Sequence, residues 1–151
     1  KGKSLRNETK DLEDIYLTYD KQIQLLNEYY LNDDCENSKL LRSELIKKIN
    51  SYKNQDLCKN LYNFNTIISL NEVVEKLVSS KLKCHYCLKN VLLFYKNVRD
   101  EFQWTLDRIN NDKEHSNDNT IIACLKCNVQ RRRRDKDVFL FSKQLKINKN
   151  Y

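Results

Sequence analysis

Two Cys-x-x-Cys pairs, Cys84–Cys87 in "KCHYCL" and Cys124–Cys127 in "ACLKCN", constrain this chain more than any other feature. A tight turn brings both sulfurs of such a pair to one side, so each pair offers two thiolates to one ion. Two pairs complete a tetrahedral zinc site with no open position. A closed four-sulfur site is structural, and its binding energy is folding energy. The competing uses are disulfides and redox pairs. Nothing in the sequence indicates secretion, which argues against disulfides, and redox Cys-x-x-Cys motifs come singly. The spacing therefore predicts structural Zn²⁺ held by Cys84, Cys87, Cys124 and Cys127. Cys35 and Cys58 stand apart from other ligand types and read as ordinary small residues. His85, inside the first pair, is a bystander to a quartet already complete.

The rest of the chain must organise around that clamp. Of its 151 residues 40% are hydrophobic and 32% charged, so a core is possible but small. With one glycine and no proline, turns fall to Asn and Asp, which tolerate left-handed backbone. No apolar run approaches the ~20 residues of a membrane span, and no signal-peptide pattern is visible. These features imply an intracellular, reducing compartment and no membrane partner. The chain begins at Lys1 and lacks methionine, which leads us to expect a segment of a longer product.

Residues 8–31 place Leu12, Ile15, Tyr16, Tyr19, Ile23 and Leu26 at helical spacing. Leu40, Leu41, Leu45, Ile46 and Ile49 repeat in the same way, and an antiparallel helix pair is the simplest arrangement. Residues 58–68 are ambiguous between turn and short strand. Ser69 and Glu72 form a capping-box pattern that predicts a helix from Leu70 to Ser80. "NVLLFYKN" and "EFQWTLDRI" read as strands. "NTIIACLKC" reads as a short strand turning into a helix that runs through "CNVQRRRRDKD". The expected fold class is α+β: a helical region over 1–69, a small zinc-stabilised ββα unit over 70–140, and a basic tail over 141–151.

Charge is concentrated beside the cysteines. Residues 81–151 carry 16 Lys+Arg against 8 Asp+Glu, whereas residues 1–80 carry 12 against 13. An anionic partner, most simply nucleic acid, should meet the second half. Cleaving a phosphodiester needs a hard cation, oxygen ligands for it and a base for the attacking water. Asp107 ends a predicted strand, and Asn128 follows the last cysteine at the start of a predicted helix. The zinc clamp can set Asn128 facing Asp107, giving a carboxylate and an amide oxygen for one Mg²⁺-like ion. Amides at the helix start nearby would also favour phosphate.

The run "CHYC", then "WTLDRINN", then "HSNDNTIIACLKCN" and basic residues resembles the HNH endonuclease family of the zinc-bearing ββα-metal type. It is especially similar to HNH-like proteins encoded by giant DNA viruses, and the resemblance covers residues 70–140. It implies a viral protein acting in a host cell or virion. It also implies a structural zinc on the four cysteines and a catalytic Mg²⁺ or Mn²⁺ on Asp107 and Asn128. Asn119 would brace the loop between the strands, and the final helix would lie against nucleic acid, DNA in preference to RNA. One departure matters. The family's usual base, a histidine after this aspartate, is replaced by Arg108. Arginine stays protonated and cannot take a proton from water, though it can hold phosphate or stabilise developing charge. His115 is the other candidate base; its plainer role is to order the loop or touch phosphate.

Four consecutive arginines on one helix cannot share a face. Arg131 and Arg132 should lie on the Asn128 side, with Arg133 and Arg134 on the flanks. Such contacts give grip and salt dependence but little sequence reading, and Gln130 alone suits base edges. Two readings follow: a metal-dependent HNH-type endonuclease acting on DNA, or an inactive HNH-derived zinc module in a nucleoprotein complex. Arg108 favours the second, and the retained Asp107, Asn119 and Asn128 favour the first. The N-terminal helices, with aromatic pairs such as Tyr29 and Tyr30, offer a possible handle for a protein partner.

Overall fold

The computed structural model describes residues 18–32 and 37–148, with the side chains of 146–148 left aside. Cys35 and the proposed helical start at residues 8–17, with Leu12, Ile15 and Tyr16, lie outside the described residues. The fold is mixed α+β. Its elements are α1 (Tyr19–Leu31), α2 (Ser38–Cys58), α3 (Leu70–Ser79), β1 (Trp104–Arg108), β2 (Thr120–Cys124), α4 (Leu125–Arg131) and α5 (Lys136–Asn148). No helix among the described residues is long and apolar enough to cross a membrane.

The periodicity explains the first helices. Leu25, Leu26 and Tyr29 of α1 and Leu41 and Leu45 of α2 are buried, and so are Val73, Val74 and Leu77 of α3. α3 starts where the sequence places it. Ser69 Oγ accepts from the Glu72 N–H at 3.2 Å, and the Ser69 N–H donates to Glu72 Oε1 at 3.0 Å. These helices share one continuous core with Leu82, Val91, Leu93, Phe94, Trp104, Leu106 and Ile122. The helical region and the cysteine-bearing unit are thus packed together, although the sequence divides them at residue 69.

β1 and β2 pair antiparallel, with Trp104 opposite Cys124, Asp107 opposite Ile121 and Arg108 opposite Thr120. α4 follows β2 without a connecting residue. One end of the hairpin therefore meets the cysteines, and Asp107 and the 109–119 loop lie at the other.

Two expectations need correction. "NVLLFYKN" forms no strand. Its backbone is satisfied irregularly: Val91 N–H donates to Leu82 O, Leu92 N–H to Phe102 O, and Trp104 N–H to Leu92 O. Gln22 of α1, fully buried, does the rest. Its Oε1 accepts from Leu93 and Phe94 N–H at 2.7 and 3.1 Å, and its Nε2 donates to Phe94 O at 2.9 Å. One buried amide here replaces a partner strand, as buried backbone must find partners somewhere. An apolar run alone does not reveal this.

The helix expected through residues 127–137 breaks at Arg132, whose φ is 54°. The turn closes through Arg134 N–H to Arg131 O and Arg131 Nε to Arg134 O. Asp135 then starts α5, accepting from the Asp137 and Val138 N–H groups. α5 runs to Asn148 across the boundary drawn at residue 140. It is anchored by Phe139, which packs edge-on against Tyr86 at 4.9 Å between ring centroids. The scarcity of glycine also has a visible cost. Asn37 and Asn60 take left-handed backbone as expected, but so do Lys81, Leu82, Leu88 and Arg132.

Candidate functional site

The sulfurs of Cys84, Cys87, Cys124 and Cys127 lie within 4.8 Å of one another and can hold a metal ion. Local hydrogen bonds shape the group. Cys84 O accepts from Leu88 N–H at 3.0 Å, closing the first turn. Cys124 Sγ accepts from Cys127 N–H at 3.4 Å, capping α4. The His85 N–H donates to Ile122 O and ties the first pair to β2. The crowded thiols bias one another. Contacts with Cys124 and then Cys127 pull Cys84 down to about 7, whereas Cys124 above all pushes Cys127 up. A soft divalent cation would let all four ionise together. All four are free thiols, as is exposed Cys58.

Toward the loop end of the hairpin, a cleft of about 240 Å³ is lined by Tyr52, Asp107, Arg108, His115, Asn128 and Arg132, among others. Four of the residues singled out for phosphodiester chemistry thus share one cavity. Thr105 and Asp107 alternate onto the same face of β1. The Asn128 Nδ2 donates to Thr105 Oγ1 at 3.0 Å, and that hydroxyl donates to Ala123 O at 2.7 Å. The amide is thereby oriented, and its Oδ1 has no partner among the described residues. Asp107 is similarly one-sided. Its Oδ2 accepts from Tyr86 Oη at 2.5 Å and from Arg131 Nη1 at 2.9 Å, while its Oδ1 accepts nothing among the described residues. Burial and then the Asp107 carboxylate push the Tyr86 phenol well up, so it stays a donor.

His115 is buried and held from an unexpected direction. Its Nδ1 lies 2.7 Å from Asp56 Oδ1, and its backbone N–H donates to Asp56 Oδ2 at 2.8 Å. Asp56 is fully buried in the last turns of α2. Tyr52, one turn earlier, stacks against the imidazole at 4.6 Å and accepts from Leu106 N–H at 3.0 Å. Lys48, one turn earlier again, donates to Trp104 O. A carboxylate on Nδ1 fixes the tautomer and leaves Nε2 as the basic nitrogen. Burial lowers the His115 pKa below its ordinary 6.5. Asp56 opposes that shift, while Arg108 and Lys59 add to it. The ring is therefore neutral at physiological pH.

Arg108 is partly buried, and its Nη1 donates to Asn111 O and Lys113 O, both at 3.1 Å. Asn119 is buried and spans the same loop. Its Oδ1 accepts from Asn110 N–H, and its Nδ2 donates to Asn110 O and Glu114 O, all within 3.0 Å. The arginine run is divided. Arg131, expected on the Asn128 side as a nucleic-acid contact, is 2% exposed. Its guanidinium bonds Asp107 Oδ2, Arg108 O, Ile109 O and Arg134 O. Buried carbonyls and a buried carboxylate draw it inward, so it binds the site together and does not meet a surface ligand. Arg132 is exposed at the cleft. Arg133 pairs with Asp112, and Arg134 lies over the Phe139 ring. Gln130 is exposed, but its Oε1 accepts from Lys143. Arg131→Ala would leave Asp107 buried without its cation, a loss of about 3–5 kcal/mol. Urea unfolding should show this as a lower midpoint with unchanged slope.

Sequence reasoning missed Asp56, Tyr52 and Tyr86. The first two carry a faint signal: Lys48, Tyr52 and Asp56 recur every four residues and continue the inward stripe of α2 with polar groups. Tyr86 lies inside the first cysteine pair, where spacing draws attention to the sulfurs only. Compared with protein-family models, curated proteins and solved structures, the chain matches none.

Proposed function

We propose that this chain is a metal-dependent endonuclease of the HNH type, hydrolysing phosphodiester bonds in DNA. The observation that carries the reading is the cleft. It is lined by Asp107 and Asn128, each with one side-chain oxygen unpartnered among the described residues, and by the Asp56-held His115 beside Arg108. The quartet Cys84, Cys87, Cys124 and Cys127 is assigned to structural Zn²⁺, since four thiolates suit a tetrahedral soft-to-borderline ion. It clamps the junction of β2 and α4 and so fixes Asn128 relative to β1.

A Mg²⁺ or Mn²⁺ ion on Asp107 Oδ1 and Asn128 Oδ1 would supply positive charge to the scissile phosphate. The chain's own groups do the rest. His115 Nε2 takes the proton of the attacking water as the P–O bond to the leaving oxygen breaks, and solvent reprotonates that oxygen. Asp56 holds the imidazole in the required tautomer and stabilises the imidazolium. Arg108 balances negative charge at the phosphate, the part arginine can play. Arg131 and Tyr86 hold Asp107 in place, and Asn119 keeps the loop bearing His115 closed. Arg132, Arg133 and Arg134 face the nucleic acid.

A second reading, an inactive HNH-derived module that binds nucleic acid, is favoured by the double commitment of Asp107 Oδ2 and its near-complete burial. Labelled duplex and single-stranded DNA, incubated with zinc-loaded protein, separate the two. The enzyme reading expects cleavage with added Mg²⁺ or Mn²⁺, none without, and loss in Asn128→Ala. Salt-sensitive binding with no product under any metal supports the module.

A further inference from the structure

We propose that the outward face of α2 is a second arm of the nucleic-acid track, carrying the strand away from the cleft on the side opposite the arginines. This rests on the nucleic-acid reading above and extends it to the helical half, whose charge balance is nearly neutral. α2 has two long stripes. The inward one, Lys48, Tyr52 and Asp56, supports the cleft. The outward one, Lys47, Asn50, Ser51, Asn54, Gln55 and Lys59, lines a shallow groove of about 700 Å³. These positions recur at helical spacing, are exposed, and include no carboxylate. Glu44, which lies 3.8 Å from Lys47, is itself buried. Ammonium, amide and hydroxyl groups are the side chains that contact phosphate and sugar.

Continuity gives the face its direction. Gln55 lines both this groove and the cleft. On the far side, Val129 and Arg132 line both the cleft and a groove of about 510 Å³ that also takes in Arg134 and Lys143. Shared lining residues link the three depressions in series, with His115, Asp107 and Asn128 in the cleft between the other two. Cationic groups line all three, and a polyanionic strand crossing the cleft would lie on both arms. Contacts of this kind give affinity and register without sequence preference.

Cys58, an exposed free thiol in the α2 groove, provides the readout. Maleimide modification of Cys58 in zinc-loaded protein is followed by peptide mass spectrometry, with and without a saturating short DNA duplex or single strand. The expected result is labelling slowed at least about tenfold by DNA. The double variant Asn50→Glu, Asn54→Glu, which does not lower helix propensity, should bind about tenfold more weakly at low salt, with the gap closing as salt rises. Its zinc content and melting should match wild type. Unchanged Cys58 labelling together with unchanged affinity of the variant would overturn the α2 arm and leave the cleft reading intact. Failure of the wild type to bind DNA at any salt would instead overturn the nucleic-acid reading, and this arm with it.

Discussion

Cys127→Ser, or removal of metal by a strong chelator, is expected to abolish cooperative folding of the cysteine-bearing half. Cys84, Cys124 and Cys127 lie at 0–1% exposure within the shared core, beside Tyr86, Trp104 and Ile122. The regular elements of the cysteine-bearing half that carry or adjoin the second pair are short, two five-residue strands and a seven-residue helix. Zinc on such a quartet contributes on the order of 10–16 kcal/mol in small metal-folded units, comparable to or above the ~5–15 kcal/mol total stability of an ordinary domain. The checks are metal content, near one zinc per chain in wild type, and loss of the tryptophan signal from buried Trp104 in the variant. A Cys127→Ser protein that binds no zinc and melts like wild type would show that the quartet is not a folding element.

The second large effect concerns His115. His115→Gln, which retains an amide donor toward Asp56, should lower the cleavage rate by about 10²–10⁴-fold, the range for a positioned general base, without weakening DNA binding. The pH dependence carries a sign. Burial holds the ring's pKa below 6.5, so the basic form is present at and above neutrality and is lost only as pH falls below 6.5. The acid limb of the rate profile should therefore lie below 6.5. The same depression means that folding stability from this group is fully present above 6.5 and declines as pH falls through the folded pKa. Asp56→Asn removes the carboxylate that opposes the shift. It should move the acid limb further down and lower the plateau, because the tautomer is no longer enforced. A passive structural aspartate would change melting but leave the limb in place. Asp107 is the less clean probe, since its removal orphans Arg131.

Much of this arrangement was legible in the sequence where one residue type has one physical use. Four cysteines in two close pairs gather at a point, Ser69 and Glu72 start α3, and the β-branched and aromatic residues of "EFQWTLDRI" give β1. The polar groups in the cleft were legible as candidates, because strand end, cysteine and loop fix Asp107, Asn128 and His115 in sequence relative to the clamp. What escaped depends on partners distant in sequence. Gln22 substitutes for a strand next to Leu93 and Phe94. Asp56 reaches His115 from a helix that seemed separate. Arg131 turns inward because three carbonyls and a carboxylate converge on it, which no local pattern of four arginines can encode.

The most direct test of the central claim is supercoiled plasmid conversion by zinc-loaded protein in Mg²⁺ or Mn²⁺, run beside Asn128→Ala and His115→Gln at matched zinc content. The account predicts nicked product from wild type with the added ion, and loss in both variants with binding retained. An intact plasmid with wild type under every divalent ion, while binding remains tight and salt-sensitive, would contradict it.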